Sequence, residues 1–300
     1  MQEMIFNFFK DLLSNSLATD IANFMGKVLD SLKDILNANI SSWLAIFSVI
    51  AASLLIIYFF MNVASDVSRE MLSLDKLILY FIRMFLAFMI LIYLKDILIQ
   101  LTNLCYNIYK YVGSKLSATG NMGVTFFGKP VSNIGSVTYQ AHKAEMDTAF
   151  DFALSKIAGY LHIMLLSFIC WLISFVLRIV AYFICISNAL ALIARIIFAP
   201  LAVVQCFDPL QHNKGIDYIK KIVSTLLSFA IIVGILYAAS LFQGNLFASL
   251  VGAQDVNAQT MHDMLNKSGS TFAIILVCQF AGIGGLLGAN KIANDVVGTH

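Results

Sequence analysis

The sequence predicts an all-α fold, a polytopic helical membrane protein. Of its 300 residues, 60% are hydrophobic and only 12% are charged, about half the charged share of a soluble domain. Four long runs contain no Asp, Glu, Lys or Arg: Ile35–Ser65, Ile157–Leu177, Ile222–Gln254 and Ser268–Asn290. About 20 apolar residues cross the bilayer core, so each run is long enough to span it. This composition excludes a soluble enzyme, a disordered tail and a free nucleic-acid-binding domain.

The N-terminal segment predicts an amphipathic helix and not a span. From Ile5 to Ile35, apolar residues recur mostly every three or four positions, with charged residues between them. The chain opens without the basic region of a signal peptide, so we expect no cleavage. The segment is net acidic, whereas surface helices are usually basic, so packing against protein is at least as good an interpretation as lying on the membrane. We predict that residues 1–39 form an extracytoplasmic helix whose Phe9, Phe24 and Val28 face neighbouring copies or a partner.

Residues 40–112 predict the first two spans. The first covers residues 40–63, with Trp43 at the depth of an aromatic belt. The second covers residues 77–94 and contains Arg83, and its apolar pattern continues to about Val112. We therefore expect the second helix to project beyond the bilayer.

Residues 113–156 predict a long extracytoplasmic loop with possible short strands, because five glycines and Pro130 lie between Gly113 and Asp151. A loop of nearly forty residues is too long for a simple connector. Its Thr125-Phe126-Phe127 run is expected to pack on a partner or the bilayer.

The stretch from Lys156 to Phe207 is ambiguous, because Arg178 and Arg195 interrupt it. It fits one long span plus short helices, or two spans. We favour a helix over residues 157–186, followed at 187–221 by a short-helix segment with short or re-entrant helices broken at Pro200. Spans at about 222–242 and 271–289 then complete a five-span C-terminal region, 157–300, and a six-span version is the alternative.

Lysine and arginine counts predict the orientation. The links 64–76 and 187–221 hold two and four of these residues, whereas the loop 243–270 holds one. Basic links face the cytoplasm. We therefore expect the N-terminus and the long loop outside, the C-terminus inside, and a bacterial inner membrane as the location; six spans would put both termini on one side.

The sequence predicts no catalytic group, metal or cofactor. No Asp or Glu lies well inside a predicted span, which disfavours an ion-coupled transporter. The five histidines form no HxxxH or HExxH motif, and the glycine run from Gly282 fails as GxGxxG because position 287 is leucine. The five cysteines include no CxxC pair and are predicted to be reduced and structural.

Two groups of residues are candidates for subunit contacts. The arginines Arg178 and Arg195 must snorkel, pair or face water, so they are candidates for a subunit interface or an aqueous path, with structural hydrogen bonding as the alternative. Small residues at spacing four allow close helix packing within the chain or between subunits. They are Ala230, Gly234 and Ala238 in one helix, and Ala281, Gly285 and Ala289 together with Gly284 and Gly288 in another.

The segment Ile193–Leu210, followed by Lys214-Gly215 and a new span, resembles the core of the TrbL/VirB-six-like family. These proteins are polytopic inner-membrane subunits of bacterial type IV secretion and conjugation machines. The layout is also similar: an N-terminal helix, two spans, a long external loop, and three spans around an arginine followed by Ala-Pro-Leu.

This resemblance implies a non-enzymatic channel subunit in contact with membrane lipid. It would form a homo-oligomer beneath the pilus or stalk proteins and contact the cytoplasmic ATPases that drive transport. The translocated substrate would be single-stranded DNA with its relaxase, or effector proteins. Within the resembling segment, Pro200, Asp208, Pro209 and Lys214 are the further candidate interface or channel residues. The other hypotheses are a small-molecule permease and a membrane scaffold.

Overall fold

The structure of the protein is a computed structural model, which describes residues 2–13, 16–38, 40–68, 73–118, 125–150, 157–208, 211–251, 255–266 and 268–298. Helices dominate these residues. In chain order they are α1 Gln2–Leu13, α2 Ser16–Ala38, α3 Ile40–Ser68, α4 Leu74–Ala118, α5 Lys143–Ala149, α6 Ile157–Phe207, α7 His212–Val251, α8 Ala258–Asn266 and α9 Ser268–Val297.

Five of the described helices are long and apolar enough to cross a membrane. The stretches concerned are Ser42–Ser68, Leu74–Ser114, Met164–Phe207, His212–Phe242 and Phe272–Val297. Large apolar side chains such as Phe60, Phe85 and Phe183 are exposed along them, as expected where lipid and not water covers the surface. The chain is therefore a polytopic α-helical membrane protein, and the predicted fold class and five spans are confirmed.

The predicted break at Pro200 is wrong. Residues 187–207 are not short or re-entrant helices, because α6 runs without interruption for 51 residues and Pro200 lies inside it. Proline removes one backbone donor and crowds the preceding turn, but a membrane helix tolerates this where neighbouring protein covers it. Pro200 is buried, and its helix neighbours Ala199 and Ala202 are buried with it.

The described N-terminal region comprises α1 and α2, and residues 14 and 15 lie outside the described residues. Helix α1 ends at Leu13 and α2 begins at Ser16. Both retain the predicted amphipathic pattern, with buried residues such as Phe6 in α1 and Met25 in α2.

The chain divides into two compact units. One comprises Met1–Met25, Tyr109–Ile184 and Ala230–Ala289, and the other comprises Gly26–Ile108, Cys185–Phe229 and Asn290–His300. Unit 1 and unit 2 are used below for these two sets of residues.

Unit 1 contains a hydrophobic cluster, here called the cap cluster, that joins three segments distant in sequence. It unites α1, residues 125–150 and residues 255–261 with Cys170 of α6 and Phe272 and Ile275 of α9. Lys10 ties α1 to this cluster, because its Nζ donates to the backbone carbonyls of Gly135 at 3.2 Å and Val137 at 2.6 Å. The long loop therefore packs on its own chain.

Three short strands lie in the same cluster, and part of the predicted loop is thus ordered. Strand β1 Thr125–Phe126 pairs antiparallel with β2 Lys129–Pro130 and parallel with β3 Asp255–Val256. The hairpin between β1 and β2 turns at Phe127 and Gly128, which both have positive φ, the backbone that a two-residue hairpin turn requires. The Asp255 carboxylate accepts from Thr125 Oγ1 at 2.6 Å and from Gly128 N at 2.9 Å.

In unit 2, α3 and α4 pack as a hairpin. Phe59 and Phe81 have ring centroids 4.8 Å apart. Tyr80 donates to the carboxylate of Asp66 at 2.9 Å, and Lys76 lies 3.8 Å from the same oxygen. These polar contacts close the hairpin beside its turn.

Candidate subunit-interface and channel residues

Arg195 bonds within its own chain. Its Nη1 donates to the backbone carbonyl of Lys221 at 2.8 Å and to the hydroxyl of Thr225, both in α7. Tyr218 of α7 donates in return to the Arg195 carbonyl at 3.1 Å. The guanidinium thus joins α6 to the early turns of α7, which is the structural alternative weighed for this residue.

A polar seam continues from Arg195 through unit 2. The buried amide of Asn188 donates to Ser228 Oγ at 3.0 Å and to Asn290 Oδ1 at 2.9 Å, and Asn290 donates back at 3.0 Å. One turn further, Ser224 donates to Asn294 at 2.6 Å. Buried polar groups in an apolar region need such partners, so the seam aligns α6, α7 and the end of α9.

The end of α6 approaches the start of α7 closely at Gly215. A Cβ at this glycine would lie 2.5 Å from the Cys206 backbone nitrogen and 2.7 Å from the Ala202 carbonyl oxygen. No side chain fits between Gly215 and these backbone atoms, so close packing of α6 against α7 explains the glycine after Lys214. Asp208 is buried and Lys214 is exposed nearby in sequence, while Pro209 lies outside the described residues.

Arg178 forms an ion pair with Asp20, which belongs to the helix predicted to lie outside the membrane. Its Nη2 lies 3.0 Å from Asp20 Oδ2 of α2, and both belong to unit 1. Phe24 packs against Tyr182 with ring centroids 4.1 Å apart, and Tyr109 donates to the Ala22 carbonyl. The first half of α2 therefore packs along α6 and α4, and it brings a carboxylate to an arginine within a candidate span.

The predicted outward positions of the N-terminal helix are corrected in part. Phe9 is fully buried in the cap cluster, so facing a neighbouring copy is wrong for this residue. The apolar period around Phe9 is that of an amphipathic helix, as predicted. The chain itself, and not a neighbouring copy, covers the apolar face of α1. Phe24 is half-buried against Tyr182, and Val28 is half-buried, so their outward contacts stay a prediction.

The close helix contact in α9 lies at Gly285, one of the small residues predicted for close packing. A Cβ at Gly285 would lie 2.8 Å from Ile235 Cγ2 of α7, whereas Gly234, Gly284 and Gly288 have open space at that position. Close packing within the chain at these three is therefore wrong, because residue 285 is turned about 100° from residue 284 around the helix. In α7, Ala230 is buried and Ala238 is exposed. Contacts of the open faces with another subunit stay a prediction.

A cavity of about 1410 Å³ in unit 1 adjoins the ion pair. Its polar wall includes Asp20, Arg178 and Gln279. Gln279 is 5% exposed and donates to Ser174 at 2.6 Å, while its Oε1 has no hydrogen-bond partner among the described residues. The Nε of Arg178 is likewise buried and unpartnered within that part of the chain.

The sequence reasoning missed the neutral polar residues of both sites. Only ionisable groups were considered as candidates within the apolar segments, so Asn188, Ser228 and Gln279 were not predicted. Polar side chains within apolar segments are the sequence signal that could have identified them. Asp20 was missed because its helix was assigned outside the membrane. The five cysteines are unpaired, as predicted.

Tyr139, which packs against the cap cluster outside the candidate spans, has a shifted pKa. Burial, together with the carboxylates of Asp147 and Glu3, raises the pKa of Tyr139 above its usual range. The phenol therefore stays protonated and donates to Gln2 Oε1 at 2.9 Å. This bond ties α1 to the segment before α5.

No protein-family model, curated protein or solved structure matches the chain.

Proposed function

We propose that the protein is a non-enzymatic inner-membrane component of a bacterial type IV secretion or conjugative transfer machine. It forms an oligomer under the pilus or stalk, contacts the cytoplasmic ATPases, and helps to pass DNA-protein or effector substrates. Its N-terminus and the long loop lie outside the cytoplasm, and its C-terminus lies inside.

The observation that carries the proposal is the α6–α7 junction in the segment that resembles the TrbL/VirB-six-like family. Arg195 is bonded to α7, Pro200 is buried, and Gly215 permits close contact with Cys206. The residues that carry the resemblance thus hold two spans together. A family pattern of this kind would be retained for assembly, with no catalytic role.

The cap cluster supports the proposal independently. It gathers α1, residues 125–150 and residues 255–261 into one folded body. This body lies outside the central parts of the five candidate spans. A body of this size offers a surface on which pilus or stalk proteins can assemble.

The test is transfer in cells whose only copy carries a variant junction. Gly215→Val should reduce conjugative or effector transfer at least tenfold, because its side chain separates α6 from α7. Asn213→Val, at an exposed position two residues away, is the matched control and should transfer normally. Membrane levels of both variants are measured by immunoblot, and normal transfer by Gly215→Val with an altered junction would rule out the proposed role.

A second measurement examines the assembly itself. Extraction of the native protein in mild detergent should yield a large oligomer with an ATPase and pilus or stalk proteins. A monomer or dimer that carries none of these would contradict the secretion proposal.

A small-molecule permease is the second candidate, favoured by one observation. Asp20 and Arg178 line a cavity beside three candidate spans, and ionisable groups in such positions often mark transport paths. Purified protein in liposomes should then accumulate a solute, and Asp20→Asn should abolish the uptake. Secretion without solute uptake would exclude this candidate.

A further inference from the structure

The cavity of unit 1 has a continuous aromatic wall. Phe168, Trp171 and Phe175 of α6 stack in sequence, with ring centroids 5.9 Å apart in each pair and interplanar angles of 25° and 12°. All three side chains are about half exposed, and they line the cavity. Such a wall binds apolar groups, and its ring faces attract a cation.

The lining of the same cavity also contains a buried hydrogen-bond acceptor that has no donor among the described residues. Gln279 is more than nine-tenths buried, and its Oε1 is unpartnered among the described residues. A buried polar atom without a partner is energetically unfavourable. An occupant that donates an N–H to this oxygen would remove that penalty.

The charges of the lining favour a cation. The carboxylates of Glu3, Asp11 and Asp20 line the cavity, whereas Arg178 is the one Lys or Arg in the described lining. Its Nη2 is already paired with Asp20 at 3.0 Å, while its Nε has no partner among the described residues. The cavity, about 1410 Å³, exceeds the ~300–1,000 Å³ typical of sites for drug-sized ligands, so it has room for a long apolar chain.

We propose that this cavity binds an amphipathic primary ammonium ion, whose apolar chain lies on Phe168, Trp171 and Phe175 and whose N–H group donates to Gln279. The carboxylate of Glu3 in the lining balances the positive charge. This proposal goes beyond the secretion role and does not depend on it. The same chemistry is available from the headgroup of phosphatidylethanolamine and from a free long-chain amine.

The test uses the fluorescence of Trp171 with three probes that share a twelve-carbon chain. Trp43→Phe leaves Trp171 as the single tryptophan, because the chain has two. The full-length protein in a neutral maltoside detergent is titrated with dodecylammonium, dodecyltrimethylammonium and dodecanoate. Dodecylammonium should bind saturably and up to about tenfold more tightly than dodecyltrimethylammonium, which lacks the N–H donor, and dodecanoate should not saturate.

Matched variants locate the binding site. Gln279→Leu in the same background should remove the preference between the two cations. Gln100→Leu, at an exposed position of α4 outside the cavity, should retain it. Equal binding of all three probes to the protein with an unmutated cavity would overturn the proposal. A folded Gln279→Leu protein that still fully prefers dodecylammonium over dodecyltrimethylammonium would also overturn it.

A lipid exchange distinguishes the two sources of the ammonium group. In phosphatidylcholine nanodiscs the titration is repeated with and without phosphatidylethanolamine. Weaker apparent binding of dodecylammonium in the presence of phosphatidylethanolamine identifies the membrane lipid as the occupant. Unchanged saturable binding supports a free amine, and loss of binding in both nanodiscs contradicts the proposal.

Discussion

The two arginines of the candidate span Met164–Phe207, Arg178 and Arg195, bond to residues far away in the sequence. Asp20 of α2 pairs with Arg178, and α7 supplies a carbonyl and a hydroxyl to Arg195. A guanidinium keeps its charge under all physiological conditions, so each site must supply a permanent partner. These arginines therefore fix which helices lie side by side in each unit.

Replacing Arg195 with methionine is expected to destabilise the protein. The change removes charge-assisted hydrogen bonds between α6 and α7, each contributing about 1.5–3 kcal/mol. Thermal unfolding in detergent should show a lower midpoint than wild type. Lys214→Met, at an exposed position nearby, should unfold as wild type, and equal midpoints for both variants would show that the Arg195 bonds do not stabilise the fold.

Replacing Asp255 with alanine is expected to loosen the short sheet. The carboxylate accepts hydrogen bonds from Thr125 and Gly128, so its loss should cost about 1–3 kcal/mol locally. Hydrogen exchange at residues 125–130 should accelerate, while exchange in α7 should not change. Asp263→Ala, at an exposed site of α8, is the control, and equal protection of residues 125–130 in the two variants would contradict the assigned role.

At the scale of elements, helix faces decide which small residues matter. In α9 the buried side holds Leu286, Ala289 and Ala293, and Gly285 makes the close approach to α7. A spacing of four identifies a stripe but not the side of the helix on which the neighbour lies. The sequence therefore predicted two stripes in α9, one with Gly285 and one with Gly284 and Gly288, and only the neighbouring helix shows that Gly285 makes the contact.

Two adjacent glycines of α9 provide a direct comparison of these faces. Gly285→Val should destabilise unit 1 by about 1–3 kcal/mol, because its Cβ would meet Ile235. Gly284→Val carries the same change in helix propensity but enters open space, so it should unfold close to wild type. Thermal midpoints of the purified variants measure the difference, and the reverse order would show that α9 is rotated.

At the scale of the whole molecule, the strand pairing limits the number of spans. Strand β1 precedes α6 and β3 follows α7, and they pair directly. With two crossings between them, these strands lie on the same side of the membrane. Two spans within α6 would make three crossings and would put β1 and β3 on opposite sides, so the pairing excludes the six-span alternative.

Cysteine labelling tests this arrangement in a cysteine-free background. Asn133→Cys and Gln259→Cys, both at exposed positions, should react with a membrane-impermeant maleimide from the same side. Asp75→Cys and Asp295→Cys should react from the other side, because an odd number of spans separates them from the cap cluster. Labelling of positions 133 and 259 from different sides would contradict the strand pairing.

The sequence by itself determined the class of the protein and the amphipathic character of its N-terminus. These properties follow from hydrophobic content and period, which each segment carries locally. Only the tertiary structure decided that α6 continues through Pro200, that Phe9 is buried and that Asp20 meets Arg178. The physical reason is that each of these outcomes depends on a neighbour distant in sequence, which covers a helix break, an apolar face or a charge.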